Sequence, residues 1–118
     1  MERQADLGAL RTNQWNFLQE QMSRLVQAWR DGEPGNLEEF LPAPNDLLRA
    51  IVLQELIITD LDMRWRHGQR VSLDFYAGKY PELGTLEELP AKLICEEYLI
   101  RRHYGDAPQL VSYRRRFP

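Results

Sequence analysis

The sequence predicts an all-α fold built from helix–turn–short-helix units. Long segments place apolar residues three and four positions apart, and no segment alternates strictly enough between apolar and polar residues to form a strand. Three glycines, Gly32, Gly68 and Gly105, lie 36 and 37 residues apart, and similar residues surround each of them. We therefore expect one helical domain over residues 1–118, with about three repeat units. The predicted units span about 13–43, 45–82 and 85–118.

Each unit is expected to begin with a long amphipathic helix. Residues 15–29 carry apolar side chains at helical spacing, which predicts the first of these helices. The second, over residues 47–65, has additional apolar residues that widen its apolar stripe, so we expect it to be the most buried. The third is expected to begin between Thr85 and Pro90, because T-L-E-E at 85–88 fits a capping box. The tryptophans expected in the core are Trp15, Trp29 and Trp65.

A turn and a short second helix are expected after each glycine. Glycine can take the left-handed conformation that the residue after a helix often needs. A leucine and, three residues later, an aromatic residue then share one face of the short helix. An aromatic–proline pair ends the second and third units, whereas the first unit lacks this pair and is the most divergent. The residues that define the repeat are Trp29, Gly32, Trp65, Gly68, Tyr76, Tyr80, Pro81, Gly105, Tyr113, Phe117 and Pro118.

Composition and charge exclude several classes of function. The net charge is −3, with 10 basic and 15 acidic residues in 1–92 but 5 basic and 3 acidic residues in 93–118. A nucleic-acid partner is not expected, because such proteins are usually basic overall. The longest apolar-rich stretch, residues 47–61, is too short and too polar to enter a membrane as a span. The single cysteine and the absence of an apolar leader at the N-terminus predict a cytoplasmic protein.

No combination of residues in the sequence predicts an active site, a metal site or a cofactor. His67 and His103 follow different helices and form no H-x-x-x-H or H-E-x-x-H pattern. Cys95 has no flanking histidine and is expected in the core of the third helix. The glycine-rich stretch 32–35 lacks the lysine and hydroxyl residue of a phosphate-binding loop. Kinase signatures are absent too, so this chain is expected not to be an enzyme.

Charged residues supply the remaining candidates for function. An acidic residue precedes an arginine by four positions at Asp60 and Arg64, and again at Glu97 and Arg101. This spacing favours ion pairs that stabilise a helix, and the alternative is a polar contact with a partner. The basic run near the C-terminus is either a solvated surface or a contact for an acidic surface. The arginines that we consider for partner binding are Arg66, Arg102, Arg114, Arg115 and Arg116.

Two adjacent blocks of sequence carry a resemblance to a known family. The first block contains D-L-D-M-R-W-R-H-G at 60–68, S-L-D-F-Y at 72–76 and Y-P-E-L at 80–83. The second contains I-C-E-E-Y at 94–98, R-R-H-Y-G-D at 101–106 and S-Y-R-R-R-F-P at 112–118. Together they resemble the segment N-terminal to the catalytic domain of large bacterial serine/threonine protein kinases.

The resemblance implies a regulatory or docking role rather than phosphoryl transfer by this chain. No residue here matches a catalytic residue of a kinase, so none is assigned. The implied partners are proteins: the kinase domain of the same polypeptide, another signalling protein, or a second copy of the module. The alternative that stays open is a stand-alone helical adaptor or scaffold in bacterial signalling.

Overall fold

The protein is helical throughout the part of the chain that the computed structural model describes. The described residues are 12–32, 37–46, 48–83, 88–105, 109, 113 and 115. They form four α-helices, α1 (Thr12–Asp31), α2 (Arg49–Arg66), α3 (Leu73–Lys79) and α4 (Ala91–His103), and short 3₁₀ helices at Leu37–Phe40 and Pro81–Leu83. No strand occurs among these residues, which confirms the all-α prediction.

The chain divides into two compact units, Met1–Met63 and Arg64–Pro118. The division falls near the end of α2, so most of that helix belongs to the first unit. The predicted boundaries of three repeat units lie elsewhere along the chain, and the three-fold repeat stays a prediction.

The core of the first unit combines one stripe of α1, the 3₁₀ helix that follows it and most of α2. Leu18, Leu25 and Trp29 lie on that stripe and are at most 3% exposed. Leu37 and Phe40 are also buried, as their spacing of three predicts. The prediction for the first tryptophan is wrong: Trp15 is 39% exposed, because it lies in the first turn of α1 outside the buried part of the stripe.

Helix α2 is the most thoroughly buried element, as the width of its apolar stripe predicts. Six successive residues, 52–57, are buried, so every side of this part of the helix is covered. The helix begins at Arg49, two residues after the predicted start. Asp46 forms a turn directly before this start, because its carboxylate accepts the backbone N–H of Leu48, two residues on, at 2.8 Å.

A buried arginine joins the start of α2 to the preceding 3₁₀ helix. The guanidinium of Arg49 forms an ion pair with Glu38 at 2.7 Å and donates to the carbonyl of Pro42 at 3.0 Å. The Arg49 side chain is 10% exposed and that of Glu38 is 47% exposed, so water reaches this pair from the carboxylate side. The contact fixes the loop between residues 37 and 49 of the first unit.

The glycines that follow the long helices have positive φ angles, as the sequence predicts. The φ angles are 148° at Gly32, 83° at Gly68 and 94° at Gly105. The N–H of Gly68 donates to the carbonyl of Trp65 at 3.1 Å, and the next N–H, of Gln69, donates to that of Arg64 at 2.7 Å. These two bonds form a Schellman motif that ends α2. The other two glycines also donate to the carbonyl three residues earlier, at 3.4 Å in each case.

The starts of the second unit's helices differ in detail from the predictions. Leu73 and Tyr76 of α3 are buried as expected, but the Ser72 hydroxyl makes no capping hydrogen bond although Ser72 is the N-cap residue. Helix α4 begins at Ala91, directly after Pro90. The capping box predicted at 85–88 lies mostly outside the described residues, as do Phe117 and Pro118.

Substituting alanine at two glycines separates backbone strain from steric crowding. A Cβ atom added at Gly68 or at Gly78 would meet nothing within 4 Å. Gly68→Ala should lower the free energy of unfolding by about 1–2 kcal/mol, because φ is positive there. Gly78→Ala, inside α3, should instead raise it by about 0.5–1 kcal/mol. Urea unfolding of both variants checks this, and a neutral or stabilising Gly68→Ala would contradict the assigned helix end.

Candidate functional site

A fully buried carboxylate, that of Glu97 in α4, organises the second unit. Its exposed fraction is 0%, and both of its oxygens accept a hydrogen bond. Oε2 accepts the backbone N–H of Leu73 at 2.7 Å, and Oε1 accepts the hydroxyl of Tyr113 at 2.5 Å. The guanidinium of Arg101 lies 4.0 Å from Oε1, so the predicted ion pair is present at the outer limit of its range.

The carboxylate of Glu97 caps α3 in place of the Ser72 hydroxyl, which makes no capping hydrogen bond. Leu73 is the first residue of α3, and its N–H has no acceptor within that helix. The carboxylate of Glu97 satisfies this donor and also places negative charge at the positive end of the helix dipole. A helix of seven residues gains from such a cap, because so short a helix is marginal without tertiary contacts.

The phenol of Tyr113 is buried against this carboxylate and stays protonated. Burial, and after it the hydrogen bond to Glu97, raises the pKa of Tyr113 well above its usual range. The Tyr113 hydroxyl is therefore the donor in this hydrogen bond. The pair is suited to holding structure, because a proton that is so strongly retained is a poor general acid.

A second buried carboxylate, that of Asp60, stands at the corresponding position of the preceding predicted unit. It is 1% exposed and accepts the indole N–H of Trp29 at 2.9 Å. The guanidinium of Arg64, its predicted partner, donates to Gln69 at 2.8 Å and lies 4.9 Å from the centre of the Phe75 ring. The spacing thus identified both acidic positions but not the donors, which come from distant parts of the chain.

The exposed face of α4 carries an apolar surface. Leu99 is 54% exposed, and beside it lies a cavity of about 330 Å³ with an apolar lining. We name the residues that line the cavity the α4 patch: Ile94, Cys95, Tyr98, Leu99 and Tyr113. The prediction that Cys95 lies in the core is wrong, because Cys95 is exposed. The side of α4 that faces the interior is formed by Leu93, Glu97 and Ile100.

Two aromatic rings and two arginines flank the α4 patch. The rings of Tyr98 and Tyr113 pack edge to face with their centres 5.5 Å apart. The guanidinium of Arg102 lies 5.7 Å from the centre of the Tyr98 ring, and that of Arg101 lies 5.6 Å from the centre of the Tyr113 ring. These contacts hold positive charge next to the apolar cavity.

The structure brings one of the predicted partner-binding arginines to this surface. Arg102 is exposed and flanks the α4 patch. Arg66 is also exposed, but its Nε donates to the hydroxyl of Tyr104 at 3.3 Å. Arg115 is exposed as well, whereas Arg114 and Arg116 lie outside the residues that the structure describes. The cavity could not be predicted from the sequence, because the spacing of apolar residues in α4 does not indicate which of them stay uncovered.

The described residues offer no metal-binding cluster. No three side chains of histidine, cysteine, aspartate or glutamate come together among them in a way that could hold an ion. His67 and His103 are exposed, and each follows or ends a different helix. Within the same described part of the chain, no helix combines the length and the apolar character needed to cross a membrane.

Comparison with known proteins found no match among family models, curated proteins or solved structures. Among the described residues, the α4 patch and the buried Glu97, with its partners Leu73 and Tyr113, are the features that bear on function.

Removing the Glu97 acceptor should destabilise the second unit. Glu97→Gln keeps the size of the side chain but offers one accepting oxygen instead of two, so either Leu73 or Tyr113 loses its acceptor. We expect a loss of about 1–3 kcal/mol in the free energy of unfolding. Glu96→Gln removes the same charge from the neighbouring, partly exposed position and should change it by less than about 0.5 kcal/mol. Equal effects in urea unfolding would contradict the structural role of Glu97.

The raised pKa of Tyr113 predicts a loss of stability at high pH. A phenol whose pKa is higher in the folded than in the unfolded chain stabilises fully below pH about 10 and progressively less above it. The stability gap between the natural chain and Tyr113→Phe should therefore narrow above that pH, by up to about 1.4 kcal/mol per unit. Urea unfolding at several pH values measures the gap. A gap that stays constant would show that Tyr113 ionises alike in both states.

Proposed function

We propose that this chain is a non-catalytic docking module of a bacterial serine/threonine protein kinase. The blocks at 60–83 and 94–118, which resemble the region N-terminal to such kinase domains, support the kinase context. In this proposal the module contacts proteins in the cytoplasm, and phosphoryl transfer belongs to a separate catalytic domain.

The observation that carries the docking role is the α4 patch. Leu99, with half of its surface exposed, adjoins an apolar cavity, and contiguous exposed apolar surface is typical of protein contact sites. Tyrosine and arginine, which line and flank this cavity, are also the residue types that most often dominate binding energy at interfaces. The surface therefore has both the apolar centre and the polar edge of a protein interface.

The buried charged groups favour a non-catalytic role. Glu97 caps α3, Asp60 accepts an indole N–H, and Arg49 joins a loop to a helix. Each of these groups is engaged in a structural bond inside the fold. Their partners are backbone groups and side chains of the same fold. This supports a structural rather than a catalytic role for these charged groups.

A stand-alone adaptor is the second candidate. The exposed arginines Arg66, Arg102 and Arg115 all lie in the second unit, in the part of the chain that is richer in basic residues. Exposed positive charges suit an acidic protein partner by charge complementarity. The adaptor would need no kinase domain in the same polypeptide.

Two measurements test the proposal. The purified chain, incubated with labelled ATP, Mg²⁺ and a generic protein acceptor, should transfer no phosphate, and transfer by the pure chain would contradict the non-catalytic role. The sequence of the gene distinguishes the kinase module from the stand-alone adaptor. A reading frame that continues past the codon for Pro118 into a glycine-rich loop and the H-R-D and D-F-G motifs fits the kinase module. A stop codon directly after the codon for Pro118 would instead fit the stand-alone adaptor.

A further inference from the structure

The α4 patch has the two parts that a self-complementary interface needs. Leu99 is 54% exposed and stands at the edge of an apolar cavity of about 330 Å³. A cavity of about 150 Å³ holds a benzene molecule, so this one has room for a leucine side chain from another molecule. The projecting side chain and the recess lie on the same face of the same helix.

We propose that two copies of this chain associate through their α4 helices, with Leu99 of each copy seated in the cavity of the other. An interface with two-fold symmetry places the same patch on both sides, so each copy must supply both the projection and the recess. This inference rests on the proposed docking role and names its partner as a second copy of the module.

Charge favours an antiparallel arrangement of the two α4 helices. The last turn of α4 carries Arg101, Arg102 and His103, whereas Glu88 precedes the helix and Glu96 lies in its middle. A parallel pair would set the basic turns side by side. In an antiparallel pair with its axis between Cys95 and Leu99, each basic turn instead faces a first turn whose one charged residue is Lys92, with Glu88 and Glu96 on either side of it along the chain. Fewer like charges therefore meet than in a parallel pair.

The arrangement places the single cysteine inside the contact. Cys95 lines the cavity that receives Leu99 of the second copy, so the two Cys95 residues lie on either side of the symmetry axis, about one helical turn apart along the direction of the helices. Because the chain has only one cysteine, any thiol cross-link between two copies joins these two positions.

Sedimentation of the full chain over a range of micromolar concentrations tests the association. The natural chain should form dimers. Leu99→Asp should weaken dimerisation about 100-fold, because two symmetric leucines are lost and burying each is worth roughly tenfold or more. Trp15→Ser, which removes an exposed apolar side chain from α1, is the matched control and should leave the dimer unchanged. Circular dichroism checks that both variants keep their helices.

A short bismaleimide linker tests the geometry. It should join two natural chains through Cys95 and fail with Leu99→Asp and with Cys95→Ser. A dimer that forms without this cross-link would overturn the proposed arrangement. A natural chain that stays monomeric at every concentration would overturn self-association itself, and the patch would then belong to a different protein. That result would not contradict the proposed docking function, so the docking function and self-association can fail separately.

Discussion

A carboxylate that is wholly removed from water must find donors for both of its oxygens, or its burial costs several kcal/mol. Glu97 meets this condition with the backbone N–H of Leu73 and the hydroxyl of Tyr113. Its donors come from α3 and from the segment after α4, so one side chain ties three parts of the second unit together. The start of α3 depends on it directly, because Ser72 does not cap that helix.

The same interaction reaches the surface through Tyr113. The hydroxyl of this tyrosine is bound to Glu97, while its ring lines the apolar cavity and packs edge to face on Tyr98. A buried hydrogen bond therefore fixes the position of the Tyr113 ring, which forms one wall of the cavity. A contact surface of fixed shape loses less conformational entropy when a partner binds, which is an advantage for a docking module. The hydrogen bond between Tyr113 and Glu97 thus serves both the fold and the proposed docking surface.

Local features of this fold could be predicted from the sequence, and long-range ones could not. The positive φ at Gly68 and the burial of Leu73 and Tyr76 follow from spacing within a few residues. The donors to Glu97 lie 24 and 16 residues away, and nothing in the spacing of α4 specifies them. The predicted burial of Cys95 is wrong for a related reason. An apolar helix position is buried only if another segment covers it, and coverage depends on the tertiary fold.

The amide proton of Leu73 reports directly on the bond that Glu97 makes. As the first residue of a helix, Leu73 would ordinarily exchange its amide proton with water quickly. Bound to a carboxylate with no exposure, it should exchange much more slowly than the amide of Ala91, which occupies the same position in α4 and is exposed. Hydrogen exchange followed by nuclear magnetic resonance measures both. Slow exchange at Leu73 fits a buried cap from Glu97, and exchange as fast as that of Ala91 would contradict it.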